Sequence, residues 1–298
     1  MISIIIPAYN YRTLNSAIAS ILKQPINSLE IIIIDDRGDN KIQKIIDNLN
    51  HPKIQYYKNS TNIGTTLSRI KGIKKSTGKY VGFLDDDDLM LNNGLVQQKE
   101  LLDRSDLDFV FCNYIINNKL NNVIIKKNIY QYEKQFTQSI LHSPGPFLQC
   151  CLFKQQFILQ HLDSLESVAE PSEDWNFFMH ISQYNPKIKH IPIVSFQWNL
   201  TQNSQSINYN KEALALQYII NKHYDYIKQY SRKSLALQYR KLGSMFYYLG
   251  QYQTAQEAFK QAFWIYPISI KNILIQIAQQ CPAVISHWLM QLYVKKII

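Results

Sequence analysis

The sequence lacks the features that mark several common protein classes. Its 298 residues contain four cysteines, Cys112, Cys150, Cys151 and Cys281. None has zinc-type spacing, and four cannot make a dense disulfide framework. Cys150 and Cys151 are neighbours in a strand-like run and read as small buried residues. No apolar run approaches the length of a membrane span. No charged leader precedes Ile4 to Ile6 and Pro7, so no secretory signal is read. These absences predict a reducing, cytoplasmic setting. Long basic runs are missing too. Lys and Arg outnumber Asp and Glu by 32 to 22, a net charge of +10, yet they cluster only as doublets such as Lys74-Lys75, Lys126-Lys127 and Lys295-Lys296. Such a balance suits anionic partners such as nucleotides or a membrane face, or simple solubility. No basic helix marks a nucleic-acid reader, and no nucleic-acid partner is expected.

What is present begins at Lys79-Tyr-Val-Gly-Phe-Leu-Asp-Asp-Asp-Asp-Leu-Met-Leu91. Tyr80 to Leu84 reads as a strand buried on both faces. Asp85, Asp86, Asp87 and Asp88 follow without a break. Four adjacent carboxylates repel one another unless something cationic sits among them. A hard divalent ion with oxygen ligands, completed by substrate phosphates, meets that need. A solvated acidic turn is the plain alternative.

The length allows one large domain plus a small appendage, and 46% hydrophobic residues allow a real core. Strand and helix alternate through the first ninety residues. Ser3 to Ile6 is a strand broken by Pro7. Leu14, Ile18, Ile21 and Leu22 mark a helix ending near Pro25. Ile31 to Ile34 is a buried strand ending in Asp35 and Asp36. Ile42 to Leu49 is helical, Ile54 to Tyr57 a strand, Asn62-Ile-Gly64 a turn, and Thr65 to Lys75 a helix. This alternation predicts an α/β, mostly parallel, doubly wound sheet whose ligands bind beyond the strands' carboxyl ends. Tyr9, Asp36 and the aspartate run all fall there. Farther on, Asp108 to Cys112 and Val123 to Lys126 are strand-like, Phe147 to Phe153 is an apolar run, and Phe157 to Leu165 reads as a short helix. Ser172-Glu-Asp-Trp175 reads as a helix start, for which Glu173 and Asp174 are also ordinary capping residues.

From about Lys211 the pattern is helical only. Tyr239, Leu242, Gly243, Phe246, Gly250, Tyr252, Ala255, Phe259, Ala262 and Pro267 fall at the spacing of one tetratricopeptide-like repeat over 236–269. One repeat cannot bury its own face, so 213–230 and 270–295 are expected to cover it. Ile273, Leu274, Ile277, Ile285, Trp288, Leu289 and Leu292 form an apolar stripe. It reads first as core packing and second as a membrane-surface helix ending in Lys295-Lys296.

Several of these motifs occur in a recognisable order: Ser3-Ile-Ile-Ile-Pro-Ala-Tyr-Asn10, Ile33-Ile-Asp-Asp36, Asn62-Ile-Gly64 with Arg69, Gly78 to Asp88, and Glu173-Asp174-Trp175. The set resembles the family 2 glycosyltransferases of the GT-A fold, over about residues 1–205. The resemblance implies a GT-A domain, with 206–298 a helical extension. It implies transfer of a sugar from a nucleotide diphosphate donor, typically a UDP-sugar, to a hydroxyl of a glycan or glycolipid acceptor, with inversion and with Mn²⁺ or Mg²⁺. Such a transferase suits surface polysaccharide synthesis and a site at the inner face of the membrane. By position, Pro7, Ala8 and Tyr9 would line the base pocket, Asp36 would bond the base, and Arg69 would lie near the nucleotide. Asp87 would bind the metal with Asp85, and Asp85 or Asp86 would approach the ribose. Asp174 would be the catalytic base, kept ionised by the helix start. Of Glu173 and Asp174, about 100° apart on a helix, only one is expected to face the crevice.

Two departures stand out. Phe196-Gln-Trp-Asn-Leu-Thr-Gln-Asn-Ser-Gln-Ser206 lacks the cation that many relatives place in this loop, leaving Trp198, Asn203 or Ser204 as substitutes for diphosphate contact. The helical tail also lies outside the family's core. The rival readings are a sugar-nucleotide nucleotidyltransferase, for which Tyr9-Asn-Tyr-Arg12 offers little of the Gly-rich basic loop needed, and a non-catalytic scaffold acting through the tail on a protein partner.

Overall fold

The computed structural model describes residues 1–202, 204–281 and 283–294. The chain folds as two compact units. One comprises Met1–Thr137, Gly145–Ser167 and Glu173–Ser204, the other Gln138–Pro144, Val168–Ser172 and Gln205–Ile298.

The first unit is built on a mixed nine-stranded sheet. Its strands are β1 (Ile2–Ala8), β2 (Leu29–Asp35), β3 (Ile54–Lys58), β4 (Tyr80–Phe83), β5 (Leu89–Met90), β6 (Phe109–Asn118), β7 (Val123–Lys127), β8 (Cys151–Lys154) and β9 (Ile188–Leu200). The order is β3-β2-β1-β4-β8-β6-β9-β5, with β7 beside β6. β3, β2, β1 and β4 run parallel, so their carboxyl ends share one edge. β1, β2 and β4 are buried throughout, as continuous isoleucine-rich runs require when helices cover both faces. β8 runs antiparallel to its neighbours, while β9 runs parallel to β6.

β1 does not stop at Pro7; it pairs with β2 as far as Ala8. Ile5 offers its carbonyl to Leu84 on the β4 side. Pro7 has the same parity, so its nitrogen faces the β4 side just where β4 has ended. No ladder bond is lost, and the proline is tolerated. β9 is a thirteen-residue strand with no clear sequence signal. It takes in Phe196 to Leu200, which had been expected to be loop.

The parallel strands are linked by α1 (Tyr11–Leu22), α2 (Lys41–Leu49) and α3 (Thr65–Lys75), followed by α4 (Gly94–Asp103), α5 (Gln131–Lys134), α6 (Phe136–His142), α7 (Gln155–Gln160) and α8 (Glu173–Ile181). α1 buries Leu14, Ala17, Ile18 and Ile21, one face at helical spacing, and Asn10 caps it by accepting from the Arg12 N–H. α3 lies close on β1. A Cβ at Gly72 would meet the Ile5 Cγ2 at 2.3 Å. One turn earlier on the same face is Arg69, which this close approach aims at the carboxyl edge.

The second unit continues with α9 (Tyr209–Lys222), α10 (Tyr224–Tyr230), α11 (Arg232–Tyr248), α12 (Tyr252–Ile265), α13 (Ile270–Gln280) and α14 (Ala283–Val294). α11 and α12 form a hairpin turned at Gly250, whose φ of +77° favours glycine. The helices close on Gly243, where a Cβ would meet the Phe259 ring at 2.7 Å. Several buried polar groups pair across helices. Arg240 donates to Asn272, Asn272 to the Ala262 and Tyr266 carbonyls, and Gln238 to the Leu141 and His142 carbonyls. Among the described residues, no helix is long and apolar enough to cross a membrane.

The contact at Gly72 generates a test. Gly72→Val forces atoms into the closed α3–β1 interface and should destabilise the protein by about 1–3 kcal/mol. Urea unfolding checks this; an unchanged midpoint would mean that the helix can move off the sheet freely.

Candidate active site

The site is assembled at the shared carboxyl edge from segments far apart in sequence. β2 delivers Asp35 and Asp36. The Asp36 carboxylate accepts from Asn59 Nδ2 at 2.9 Å and from the Ile63 and Gly64 N–H groups at 2.8 Å each. It pins the Asn62-Ile-Gly64 turn, where Gly64 has φ +88°, and so fixes where α3 starts. Asp35 accepts from the Arg37 N–H and from the Tyr56 hydroxyl.

β4 delivers the four aspartates, and the structure gives each a different environment. Asp85 accepts from Arg69 Nη2 at 2.7 Å and from Gln149 Nε2 at 2.6 Å. Asp86 turns back to β1 and accepts from the Tyr9 and Asn10 N–H groups at 2.5 and 2.6 Å. Burial pushes its carboxyl up to about 7, opposed by those two donors and reinforced by Asp87 and Asp85. Asp88 accepts from the Asn199 N–H at 2.7 Å, while the Asn199 amide donates to the Asp87 carbonyl at 2.7 Å. Burial, then Asp85 and Asp87, hold Asp88 well above the ordinary carboxyl range. Asp87 has no ion-pair partner within 4 Å among the described residues. Burial and then the Asp85 charge raise it to about 6.

Arg69 ties these groups together. It is 2% exposed. Nη1 donates to Glu173 Oε1 at 2.6 Å and lies 3.4 Å from Asp174 Oδ1, while Nη2 takes Asp85. Burial disfavours the charge on Arg69, but Asp85, Asp174 and Glu173 outweigh it and its pKa rises. The expectation that only one of Glu173 and Asp174 faces the crevice is therefore corrected. Two side chains about 100° apart can still converge on a group lying between them.

The pair is not equivalent. Glu173 holds the guanidinium closely, whereas Asp174 touches it weakly and accepts from the Leu148 N–H through Oδ2 at 2.9 Å. Its side chain is also slightly more open, 14% exposed against 9%. The helix start was expected to lower the Asp174 pKa. Instead it is raised, because burial exceeds the opposing pull of Arg69 and the Leu148 N–H, and Asp85 adds to the rise.

Pro7 and Ala8 close β1, and Tyr9 follows, 56% exposed. The Arg37 guanidinium lies over the Tyr9 ring at 5.4 Å and the Tyr11 ring at 4.9 Å. Of the expected diphosphate substitutes, Trp198 packs edge-on against Phe147 at 5.4 Å and Ser204 accepts from the Thr201 N–H. Asn203 lies outside the described residues. Gln149, Asn199 and the pairing of Glu173 with Arg69 carried no local signal in the sequence.

Among the described residues, no group of three or more His, Cys, Asp or Glu side chains is arranged to hold a metal. Asp85 and Asp87 still fit Mg²⁺ or Mn²⁺. They are hard oxygen donors, their mutual repulsion is what a cation relieves, and such ions often take one or two carboxylates plus phosphate oxygens.

The chain matches the Glycosyl transferase family 2 profile over residues 3–162. An uncharacterized glycosyltransferase of Haemophilus influenzae is 31% identical over 185 residues, 60% of this chain and 70% of that protein. The Escherichia coli protein named UDP-Glc:alpha-D-GlcNAc-diphosphoundecaprenol beta-1,3-glucosyltransferase WfgD is 32% identical over 129 residues, 43% of this chain and 50% of its own length. The chain thus spans about half of the latter. Among solved structures, the mannosyltransferase PcManGT from Pyrobaculum calidifontis in complex with GDP-Man and Mn2+ superposes with a TM-score of 0.61 at 16% identity, covering 98% of this chain and 84% of that one. At that identity the likeness concerns the fold.

Arg69→Met would leave Asp85, Glu173 and Asp174 without their cation. It should cost about 3–5 kcal/mol of stability, the usual consequence of breaking a buried pair. Unpaired carboxyls have raised pKa values, so they favour the folded state when protonated; the deficit should shrink as pH falls toward the ordinary carboxyl range. Denaturant unfolding at several pH values checks both. A small, pH-independent loss would show that the network is not electrostatically coupled.

Proposed function

We propose that this chain, which belongs to glycosyl transferase family 2, moves a sugar from a UDP-sugar to a hydroxyl of an undecaprenol-diphosphate-linked glycan, with inversion. UDP-glucose is the first donor to test, in line with the activity named for WfgD. Family membership favours this over a nucleotidyltransferase or a scaffold. We assign the chemistry to residues 1–205, with 236–269 a tetratricopeptide-like pair in the helical extension.

One observation carries the reading. Asp174 opens α8, a segment separate from Asp85 to Asp88, yet Arg69 links the two sides. Inversion needs a proton acceptor on the face opposite the leaving diphosphate. Asp174 is that acceptor: its raised pKa strengthens it as a base. Glu173, tightly held, positions Arg69.

The donor is held by the other strand ends. Pro7, Ala8 and Tyr9 line the base. Asp36 Oδ2 receives one donor, the Gly64 N–H, and retains acceptor capacity for a base N–H. Asp86 and Asp85 lie toward the ribose. Asp87 with Asp85 would hold Mn²⁺ or Mg²⁺, which when bound would offset the charge that develops on the diphosphate.

Asp174→Asn keeps size and most hydrogen bonds but cannot take the proton. Turnover should fall by about 10² to 10⁴ while donor affinity barely changes. Single-turnover assays and calorimetry separate the two; near-normal turnover in Asp174→Asn would transfer the role to Glu173 or remove the base altogether. Asp87→Ala should abolish Mn²⁺-dependent UDP binding without unfolding the protein. Equally tight UDP binding in wild-type protein with EDTA present would rule out a metal-bridged donor.

A further inference from the structure

The helical unit carries a second surface that the transfer reaction does not use. α13 is apolar on two sides. Asn272, Ile275 and Ala278 face inward. Ile270, Ile273, Leu274 and Ile277, spaced i, i+3, i+4 and i+7, face solvent. The flanking helices add exposed Trp264 on α12 and Trp288 on α14, and these six residues are 39% to 75% exposed. Core packing therefore does not account for the stripe; among the described residues of α14, Met290 and Val294 are the buried ones. The Ile285 side chain and Lys295-Lys296 lie outside the described residues. An exposed apolar stripe of this kind marks an interaction surface.

The charge distribution identifies that occupant. Residues 1–204 hold 21 Lys and Arg against 19 Asp and Glu, whereas residues 205–298 hold 11 against three. After Glu257 the chain has four lysines and no acidic residue. Lys260 and Lys271, on the helices that carry the stripe, are exposed. A second copy would bring the same positive charge against itself. We propose that this face docks onto the interfacial zone of a bilayer containing anionic phospholipid. The isoleucines and leucine would enter the acyl boundary, the tryptophans would sit at headgroup level, and the lysines would meet lipid phosphates. The unit would lie on the membrane without crossing it. The inference rests on exposure and charge and is independent of the acceptor proposed above.

Vesicle sedimentation of the full chain tests it, with phosphatidylcholine vesicles compared with vesicles also containing phosphatidylglycerol. The protein should partition onto the anionic vesicles, and salt should weaken this. Leu274→Glu/Ile277→Glu should bind at least about tenfold more weakly. Lys260→Glu/Lys271→Glu, which leaves the apolar face intact, should show a comparable loss. Both changes are at exposed positions, and circular dichroism verifies folding. No binding to anionic vesicles overturns the proposal. So does undiminished binding by both folded variants, or a concentration-dependent dimer that Leu274→Glu/Ile277→Glu dissociates, which would make a second copy the occupant.

Discussion

A single buried guanidinium organises the candidate active site. Arg69 is enclosed at the carboxyl edge of the sheet, where an isolated charge would be prohibitive. It persists because Asp85, Glu173 and Asp174 surround it, and its planar fork can serve carboxylates on different sides at once. The pairing constrains three elements together. α3 must approach β1 closely enough to aim the side chain, β4 must end at Asp85, and α8 must begin at Glu173. The Asp36 clasp on Ile63 and Gly64 and the contact of Gly72 with Ile5 supply the first of these conditions.

The aspartate run shows how burial divides labour among identical residues. Side by side, four carboxylates would repel one another. In the fold each faces a different partner. Asp85 meets Arg69 and Gln149, Asp86 closes β1 through two backbone donors, and Asp88 receives the Asn199 N–H. Asp87 has no ion-pair partner within 4 Å among the described residues, and burial, then the Asp85 charge, raises its pKa. The chemistry proposed for the pair Asp85 and Asp87 therefore stands on a scaffold supplied by their neighbours in the same run. The helical unit uses another logic. Arg240, Asn272 and other buried polar groups pair across helices, while the α13 stripe and Lys260 and Lys271 remain outside.

Much of this was legible in the chain itself. The strands β1, β2 and β4 are continuous apolar runs, and α1 to α3 have helical spacing, so the alternating pattern and the common strand edge followed from local composition. Tyr9, Asp36 and the aspartate run were placed at that edge by position alone. The family resemblance carried by the ordered motifs agrees with the family profile that matches residues 3–162. Periodicity could not show that Pro7 continues its strand, since that depends on where β4 stops. It could not show β9 either, whose buried polar Asn199 bonds to Asp87 and Asp88 from far along the chain.

The sequence by itself determined the alternating elements of the first ninety residues, because those depend on each segment's own side chains, and the order of its motifs supplied the candidate residues through the family resemblance. Only the tertiary structure decided which carboxylates are bonded inward and which is left unpaired, that Glu173 and Asp174 share one guanidinium, and that the α13 stripe faces outward. The partners in question are 16 to 111 residues apart in the chain. Burial and Coulomb interactions act through space, and a pKa or an ion pair is set by neighbours that the local pattern does not contain.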